Sequence, residues 1–115
     1  MKFSIITPNY NGAEYIEECI KSVLRQNVDF EHIIIDGIST DSSLEILTRY
    51  SHLKIISEKD HGMYDAINKG LSISEGNFIS YLNSDDRYPK GALSRILYEF
   101  NNDKNLDYVY GDCRL

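Results

Sequence analysis

The chain alternates short apolar runs with segments in which apolar residues recur every three or four positions. Short β-branched runs are typical of strands, and the longer spacing is typical of one face of a helix. We therefore predict strands over residues 3–7, 32–35, 53–57 and 78–82, with a fifth at 108–110. Helices are predicted over residues 13–26, after a cap at 39–41, over 63–73, and from Pro89 onward.

The order of these elements predicts the fold class. Strands that alternate with helices form right-handed βαβ units, so we expect an α/β, three-layer, Rossmann-like fold with a mostly parallel sheet and helices on both faces. The unbroken apolar run at 32–35 fits a strand that is covered on both faces. No repeat or linker interrupts the sequence, and one domain over residues 1–115 is expected.

Composition and charge narrow the choice of partners. Apolar residues make up 42% of the chain and charged residues 26%, as in ordinary globular domains. The formal charge of -6, without a basic cluster, argues against a nucleic-acid partner. An anionic nucleotide remains compatible with this charge, because a divalent cation held by carboxylates bridges two negative partners.

The cysteines and the N-terminus suggest a compartment. Cys19 and Cys113 lie far apart without the spacing of metal ligands, which favours reduced thiols. The first residues lack the features of a targeting signal, and no segment approaches the roughly 20 apolar residues of a membrane span. We expect a cytoplasmic location, which includes the inner face of the membrane.

Polar residues follow each of the first four predicted strands. These exit segments are residues 7–11, 36–41, 58–65 and 83–86. In a parallel sheet the four exits converge on one edge, where ligands of such sheets bind. The alternative for any one segment is a turn that uses Asn, Asp, Gly and Ser for backbone reasons alone.

Asp85 and Asp86 form an adjacent acid pair directly after an apolar strand. Like charges this close repel unless a cation or hydrogen-bond donors compensate, and Mg²⁺ or Mn²⁺ is often held by one or two carboxylates together with ligand phosphates. The alternative is a solvated acidic turn in front of the helix at Pro89.

Tyr10 lies in the turn after the first strand, where its ring offers a flat surface on which a base can stack. The alternative is ordinary packing over the edge of the sheet. No glycine-rich dinucleotide fingerprint or phosphate-loop lysine follows that strand, which argues against dinucleotide oxidoreductases and P-loop enzymes.

Four stretches taken together resemble family 2 glycosyltransferases of the GT-A fold, in particular bacterial enzymes of surface-polysaccharide assembly. They are ITPNYN at 6–11, IDGISTD at 35–41, DHGMYDAINKG at 60–70 and YLNSDD at 81–86. The resemblance covers nearly the whole chain and implies transfer of a sugar, with inversion, from a nucleotide-diphosphate sugar to a glycan or lipid-linked acceptor.

The resemblance also implies residue roles. Asp85 would be the principal ligand of Mg²⁺ or Mn²⁺ and Asp86 an accessory, with the cation neutralising the departing diphosphate. Thr7, Pro8 and Tyr10 would lie beside the base. The full set of implied nucleotide-sugar contacts is Thr7, Pro8, Tyr10, Asn11, Asp36, Gly37, Asp65, Asn68, Asn83 and Ser84.

Three departures from the family pattern matter. Gly37 stands where many relatives have a second acid that reads uracil, so the donor base stays open. Asn83 replaces the first acid of the Asp-x-Asp metal motif, and it supplies hydrogen bonds but no charge. Relatives continue to a general base and an acceptor region. Residues 1–115 are therefore expected to be the nucleotide-sugar-binding part of a C-terminally incomplete GT-A domain, with the catalytic base beyond Leu115.

Other functions stay open at this point. A truncated, non-catalytic module could bind nucleotide weakly or self-associate through a bare surface. A phospho-acceptor signalling domain shares the alternating pattern, but it would need acids after strand one, where this chain has TPNYN. A sugar nucleotidyltransferase would show a glycine-rich basic loop there, and this chain has none.

Overall fold

A computed structural model describes residues 2–59 and 61–102, apart from the side chain of Met63. In chain order the elements are β1 (Lys2–Asn9), α1 (Ile16–Leu24), β2 (Asp29–Asp36), α2 (Ser43–Leu47), β3 (Lys54–Ser57), α3 (Met63–Ile73), β4 (Phe78–Tyr81) and α4 (Ala92–Asn102). The strand expected at 108–110 lies outside these residues. Within them, no helix is long and apolar enough to cross a membrane.

The strands form one sheet in the order β3-β2-β1-β4, and every neighbouring pair is parallel. A hydrophobic core lies on each face of the sheet, between the strands and the helices. One face buries Phe3 and Ile5 of β1 with Cys19 of α1 and Leu93 of α4. The other face buries Ile6 with Ala66 of α3. The predicted fold class is therefore confirmed.

The central strands are longer than predicted. β1 continues through Pro8 to Asn9 rather than ending at Thr7. The carbonyl of Ile6 accepts the amide of Leu82 on the β4 side. The backbone nitrogen of Pro8, two positions on, faces the same side, and the β1–β4 pairing has already ended at Ile6 and Tyr81. A proline therefore costs the sheet no hydrogen bond here.

β2 begins at Asp29, three residues before its predicted start. The prediction missed this segment because Glu31 is charged, yet the residue is buried. Its carboxylate accepts hydrogen bonds from Ser4 Oγ, Lys54 Nζ and the amide of Glu75. Burial acts to raise the pKa of Glu31, but the bonds from Lys54 and Ser4 outweigh it and hold the pKa at about 2.

Three helix starts differ from prediction. α1 begins at Ile16 rather than Ala13, after a turn in which Gly12 O accepts the Ile16 amide. α2 has Ser42 at its cap position instead of a residue in 39–41, although the carboxylate of Asp41 accepts the amide of Ser43, the first residue of the helix, at 2.9 Å. α4 begins at Ala92 rather than Pro89, since Gly91 has a φ of +76°, outside helical geometry.

Gly70 lets α3 lie close to the sheet. A Cβ at this position would stand 2.5 Å from Cγ2 of Ile6, which is buried in the core. We expect Gly70→Ala to lower the free energy of unfolding by about 1–3 kcal/mol, the usual cost of overpacking a core. Urea denaturation measures this. Ser72→Ala, at an exposed position of the same helix, is the control, and equal stability of the two variants would contradict the close contact.

Candidate functional site

The strand order brings the exits of β1 and β4 side by side at the carboxyl edge of the sheet, and we call the space between these exits the crevice. From β1 the chain adds β2 and β3 on one side and then returns to add β4 on the other. Because β1 and β4 are parallel neighbours, the loops after them leave the sheet side by side at its carboxyl edge, where parallel α/β sheets bind ligands. These two loops carry residues 9–12 and 83–86, which include Tyr10 and the acid pair.

Gly12 is the point at which the two loops meet. A Cβ on Gly12 would collide with Oδ1 of Asn9 and lie 2.8 Å from Oγ of Ser84. The absence of a side chain thus brings the β4 exit against the β1 exit. The sequence indicated a turn at Gly12 but not this close approach.

Asp36 ends β2 as a fully buried carboxylate. Its oxygens accept hydrogen bonds from Asn9 Nδ2 at 3.0 Å, the Ser39 amide at 2.9 Å and Ser57 Oγ at 3.1 Å, together with Ser39 Oγ. One carboxylate thereby joins the exits of β1, β2 and β3. Sequence reasoning missed the parts played by Asn9, Ser39 and Ser57, although all three lie at strand ends.

Asn11 ties the β1 exit to the loop after β2. Its Oδ1 accepts the amides of Thr40 at 2.7 Å and Asp41 at 3.3 Å. Its own amide donates to Ser39 Oγ at 2.9 Å. These bonds fix residues 10–11 beside residues 37–41, so the loop surface around Tyr10 is preorganised.

The three residues expected beside the base, Thr7, Pro8 and Tyr10, differ in how far they are exposed to solvent. The Tyr10 side chain is 64% exposed, Pro8 is half-buried, and the Thr7 side chain is fully buried. Oγ1 of Thr7 lies 2.8 Å from Nε2 of His32, and burial lowers the pKa of this histidine to about 3. Of these three residues, Tyr10 therefore offers the greatest exposed area to a ligand.

The acid pair lies in a tight turn. The Asp86 amide donates to Asn83 O at 2.9 Å, Asp85 and Asn83 are exposed, and Asp86 and Ser84 are half-buried. Burial raises the pKa of Cys19 in α1 to about 12, and the charges of Asp86 and Asp85 add to this rise, so both carboxylates are close enough to α1 to act on this thiol.

The residues present fit a hexacoordinate cation that is only partly held by protein. In the described part of the chain, no group of three or more His, Cys, Asp or Glu residues could hold a metal ion. A magnesium-type ion needs only one or two carboxylates when phosphates and water complete its shell. Asp85 and Asp86 meet this requirement. Oδ1 of Asn9 has no hydrogen-bond partner among the described residues but is buried against Gly12.

Asp65 and Asn68 lie on α3, after the exit of β3. Asp65 Oδ2 accepts the amide of His61 at 3.0 Å and lies 3.4 Å from Lys69 Nζ. The hydrogen bond from His61 and the charge of Lys69 lower the pKa of Asp65. Lys69 also pairs with Glu58 at 3.2 Å. Asn68 is exposed. These bonds fasten Asp65 to the β3 exit, and contact of either residue with a nucleotide sugar stays a prediction.

The comparison with family models decides the family. The model described as "Glycosyl transferase family 2" matches residues 4–113. This chain belongs to glycosyltransferase family 2. The resemblance seen in its four stretches is thereby confirmed.

Individual proteins similar to this family 2 chain are also named glycosyltransferases. A PGL/p-HBAD biosynthesis glycosyltransferase of Mycobacterium tuberculosis is 36% identical over 96% of this chain and 46% of its own length. The putative teichuronic acid biosynthesis glycosyltransferase TuaG of Bacillus subtilis is 34% identical over 93% of this chain and 44% of its own length. The family 2 chain thus spans less than half the length of these relatives.

Solved structures show the same fold. S. aureus TarS 1-349 in complex with UDP-GlcNAc has a TM-score of 0.83 and 32% identity, over 89% of this family 2 chain and 32% of its own. The mannosyltransferase PcManGT of Pyrobaculum calidifontis, in complex with GDP-Man and Mn²⁺, has a TM-score of 0.71 and 25% identity, over 76% and 28% of the two chains.

Proposed function

We propose that this chain is the donor-binding part of a glycosyltransferase. It binds a nucleotide-diphosphate sugar with Mg²⁺ or Mn²⁺, for transfer to a glycan or lipid-linked acceptor in cell-envelope polysaccharide synthesis. The observation that carries the proposal is the pairing of an exposed ring, Tyr10, with two carboxylates, Asp85 and Asp86, on loops that meet at Gly12. Support comes from the UDP-GlcNAc of TarS and the GDP-Man and Mn²⁺ of PcManGT.

Each part of the crevice has one task. Tyr10 stacks on the base, and Asn11 holds the Tyr10 loop against residues 39–41 through the bonds described above. Asp36 acts through the loops that it joins, because its carboxylate oxygens already have partners. Asp85, more exposed than Asp86, is the principal metal ligand. A cation held there supplies Lewis-acid stabilisation of the leaving diphosphate.

Inversion requires a base on the acceptor side. A carboxylate there takes the proton of the acceptor hydroxyl while the diphosphate leaves from the opposite face of the sugar. The acidic residues of the described site are committed elsewhere: Asp36 is buried and bonded, and Asp85 and Asp86 are assigned to the metal. We therefore place the general base outside the described residues.

A thermal-shift series tests the donor proposal. A ligand that binds only the folded chain raises its melting temperature, because it stabilises the fold by an amount that grows with the ratio of free ligand concentration to Kd. At a hundredfold excess over Kd the stabilisation is roughly 2.7 kcal/mol. We expect UDP or GDP to raise the melting temperature more with Mn²⁺ than without it. Equal shifts for inorganic phosphate and every nucleoside diphosphate, with no effect of metal, would contradict the proposal.

Tyr10→Ala tests the stacking surface. The variant should weaken nucleotide binding about fivefold, corresponding to the roughly 1 kcal/mol of an aromatic contact. The melting temperature should hardly change, because the ring is largely exposed. Tyr98→Ala on α4 is the matched control, since that ring is 65% exposed but lies away from the crevice loops. A large loss of stability with unchanged affinity would instead identify Tyr10 as a packing residue.

One observation favours a second candidate, a self-associating module. β4 is an edge strand of the described sheet, and its Ile79 and Tyr81 are 39% and 51% exposed. Leu71 of α3 is exposed as well. Exposed apolar residues beside an unpaired strand favour association. Sedimentation of the purified chain tests this: a concentration-dependent mass supports self-association, and a monomer at every concentration argues against it.

A further inference from the structure

Ile38 has an unusual backbone conformation. In the described part of the chain, Asn11 and Ile38 are the non-glycine residues with positive φ, at +53° and +62°. Asparagine tolerates the left-handed region, whereas a β-branched side chain clashes with its own backbone there. The conformation of Ile38 is therefore strained, and glycine or asparagine would fit its backbone better.

Neighbouring hydrogen bonds hold this conformation in place. The Gly37 amide donates to Asn9 O at 3.0 Å, and the Ser39 amide donates to Asp36 at 2.9 Å. Ile38 lies between two anchored residues, so the backbone cannot relax without breaking the network of Asp36. The strain thus persists because the surrounding bonds determine the loop.

Packing in the core does not account for the choice of isoleucine. The Ile38 side chain is 52% exposed, and no hydrophobic core cluster of the described residues contains it. An apolar side chain that is both strained and half in water stabilises the free protein little. Strain of this kind is concentrated at sites where a ligand is bound.

The position of Ile38 connects it to the crevice. Asn9 pairs with Asp36 at the ends of β1 and β2, and the next residues, Tyr10 and Gly37, continue side by side. The bond from the Asn11 amide to Ser39 Oγ closes this arrangement on the far side. Tyr10 and Ile38 are thus exposed apolar side chains on two adjoining loops that are rigidly connected.

We propose that Ile38 is a binding residue that supplies a second apolar contact to the nucleobase of the donor, next to the ring of Tyr10. This rests on the proposed donor-binding function. Gly37 has no side chain and the carboxylate of Asp36 is occupied, so Ile38 is the residue among 36–38 whose side chain is free to contact the base. The base is then held by its ring faces more than by hydrogen bonds to its edges at this point.

The proposal predicts opposite changes in stability and affinity. Ile38→Asn and Ile38→Gly remove the apolar contact and relieve the strain. The melting temperature of Ile38→Asn should rise, by up to about 4–8 °C for a domain of this size, and that of Ile38→Gly should stay level or rise, because glycine also loosens the unfolded chain. Affinity for UDP or GDP with Mn²⁺ should fall about five- to tenfold in both.

Three further variants make the outcome decisive. Ile38→Val keeps the branched apolar contact and should bind within about twofold of the parent. Ile79→Thr removes an exposed apolar side chain from β4 and should leave affinity unchanged, and Tyr10→Ala should weaken binding as above. Calorimetric titration of nucleoside diphosphate gives the affinities.

The results separate this proposal from the one on which it rests. Loss of affinity in Tyr10→Ala but parent affinity in Ile38→Asn and Ile38→Gly would overturn the role of Ile38 alone. No nucleotide binding by the parent chain would overturn both. A fall in melting temperature with unchanged affinity in Ile38→Asn would show that the side chain packs within the protein.

Discussion

Asp85→Ala is expected to abolish the part of nucleotide binding that depends on Mn²⁺. Affinity measured with the metal should fall roughly 100-fold, to the level found without it, because a charged contact to the bound group contributes about 1.5–3 kcal/mol. Asp86→Ala should weaken binding less, since Asp86 is half-buried in the turn whereas Asp85 is exposed. Calorimetric titration of both variants, with and without Mn²⁺, measures the difference.

Two controls separate coordination from charge. Asp85→Asn keeps an oxygen and the size of the side chain but removes the charge, and it should recover only part of the metal effect. Glu99→Ala removes an exposed acid from α4 and changes the net charge by the same amount. Binding of nucleotide and metal by Asp85→Ala at the parent level would show that the proposed ligand is wrong.

Acid is expected to destabilise the fold in two steps. Burial lowers the pKa of His32 to about 3 from an ordinary value of 6.5, so the unfolded chain takes up a proton that the folded chain excludes. The stabilisation is therefore complete above pH 6.5 and is lost as the pH falls towards 3. At full extent this amounts to about 5 kcal/mol, a large part of the stability of a small domain.

Glu31 contributes the second step at lower pH. Its folded pKa of about 2 lies below the ordinary 4.5, so its stabilisation is complete above pH 4.5 and is lost as the pH falls towards 2. Between pH 6.5 and 4.5 the loss belongs mainly to His32. His52, whose pKa is also lowered by burial, is exposed and adds little.

Urea denaturation at steps from pH 7 to pH 4 measures the first step. In the His32→Gln variant the slope of unfolding free energy between pH 6.5 and 4.5 should largely disappear, whatever the stability of this variant at pH 7. His52→Gln is the control and should keep the slope. An unchanged slope in His32→Gln would show that His32 is protonated in the folded chain.

The alternating pattern was sufficient to predict the class of the fold, and it indicated the edge of the sheet at which we propose the site. It also indicated Tyr10 and the acid pair, because a ring in a turn and two adjacent carboxylates are local signals. The backbone conformation of Ile38 and the close approach of Ser84 to Gly12 were not predictable in this way. Each depends on a residue distant in sequence: Asn9, which accepts the amide of Gly37, for the first, and Ser84 for the second.

Burial of polar groups was not predictable either. Thr7 was expected beside the base and Asp36 among the nucleotide-sugar contacts. The structure buries both side chains, with His32 bonded to Thr7 and with Asn9, Ser39 and Ser57 bonded to Asp36. Position at a strand exit does not distinguish a polar side chain that meets a ligand from one that holds neighbouring loops together. Only the partners, which come from adjacent strands, make that distinction.

Paramagnetic broadening by Mn²⁺ tests most directly whether donor and metal bind between the exits of β1 and β4. In amide NMR spectra of the chain saturated with UDP or GDP, small additions of Mn²⁺ should first broaden residues 83–86 and then residues 10–12. Amides at the opposite end of the sheet, such as those of Lys2 and Phe78, should stay sharp. Broadening centred on any other part of the molecule, or none with nucleotide present, would contradict the proposed site.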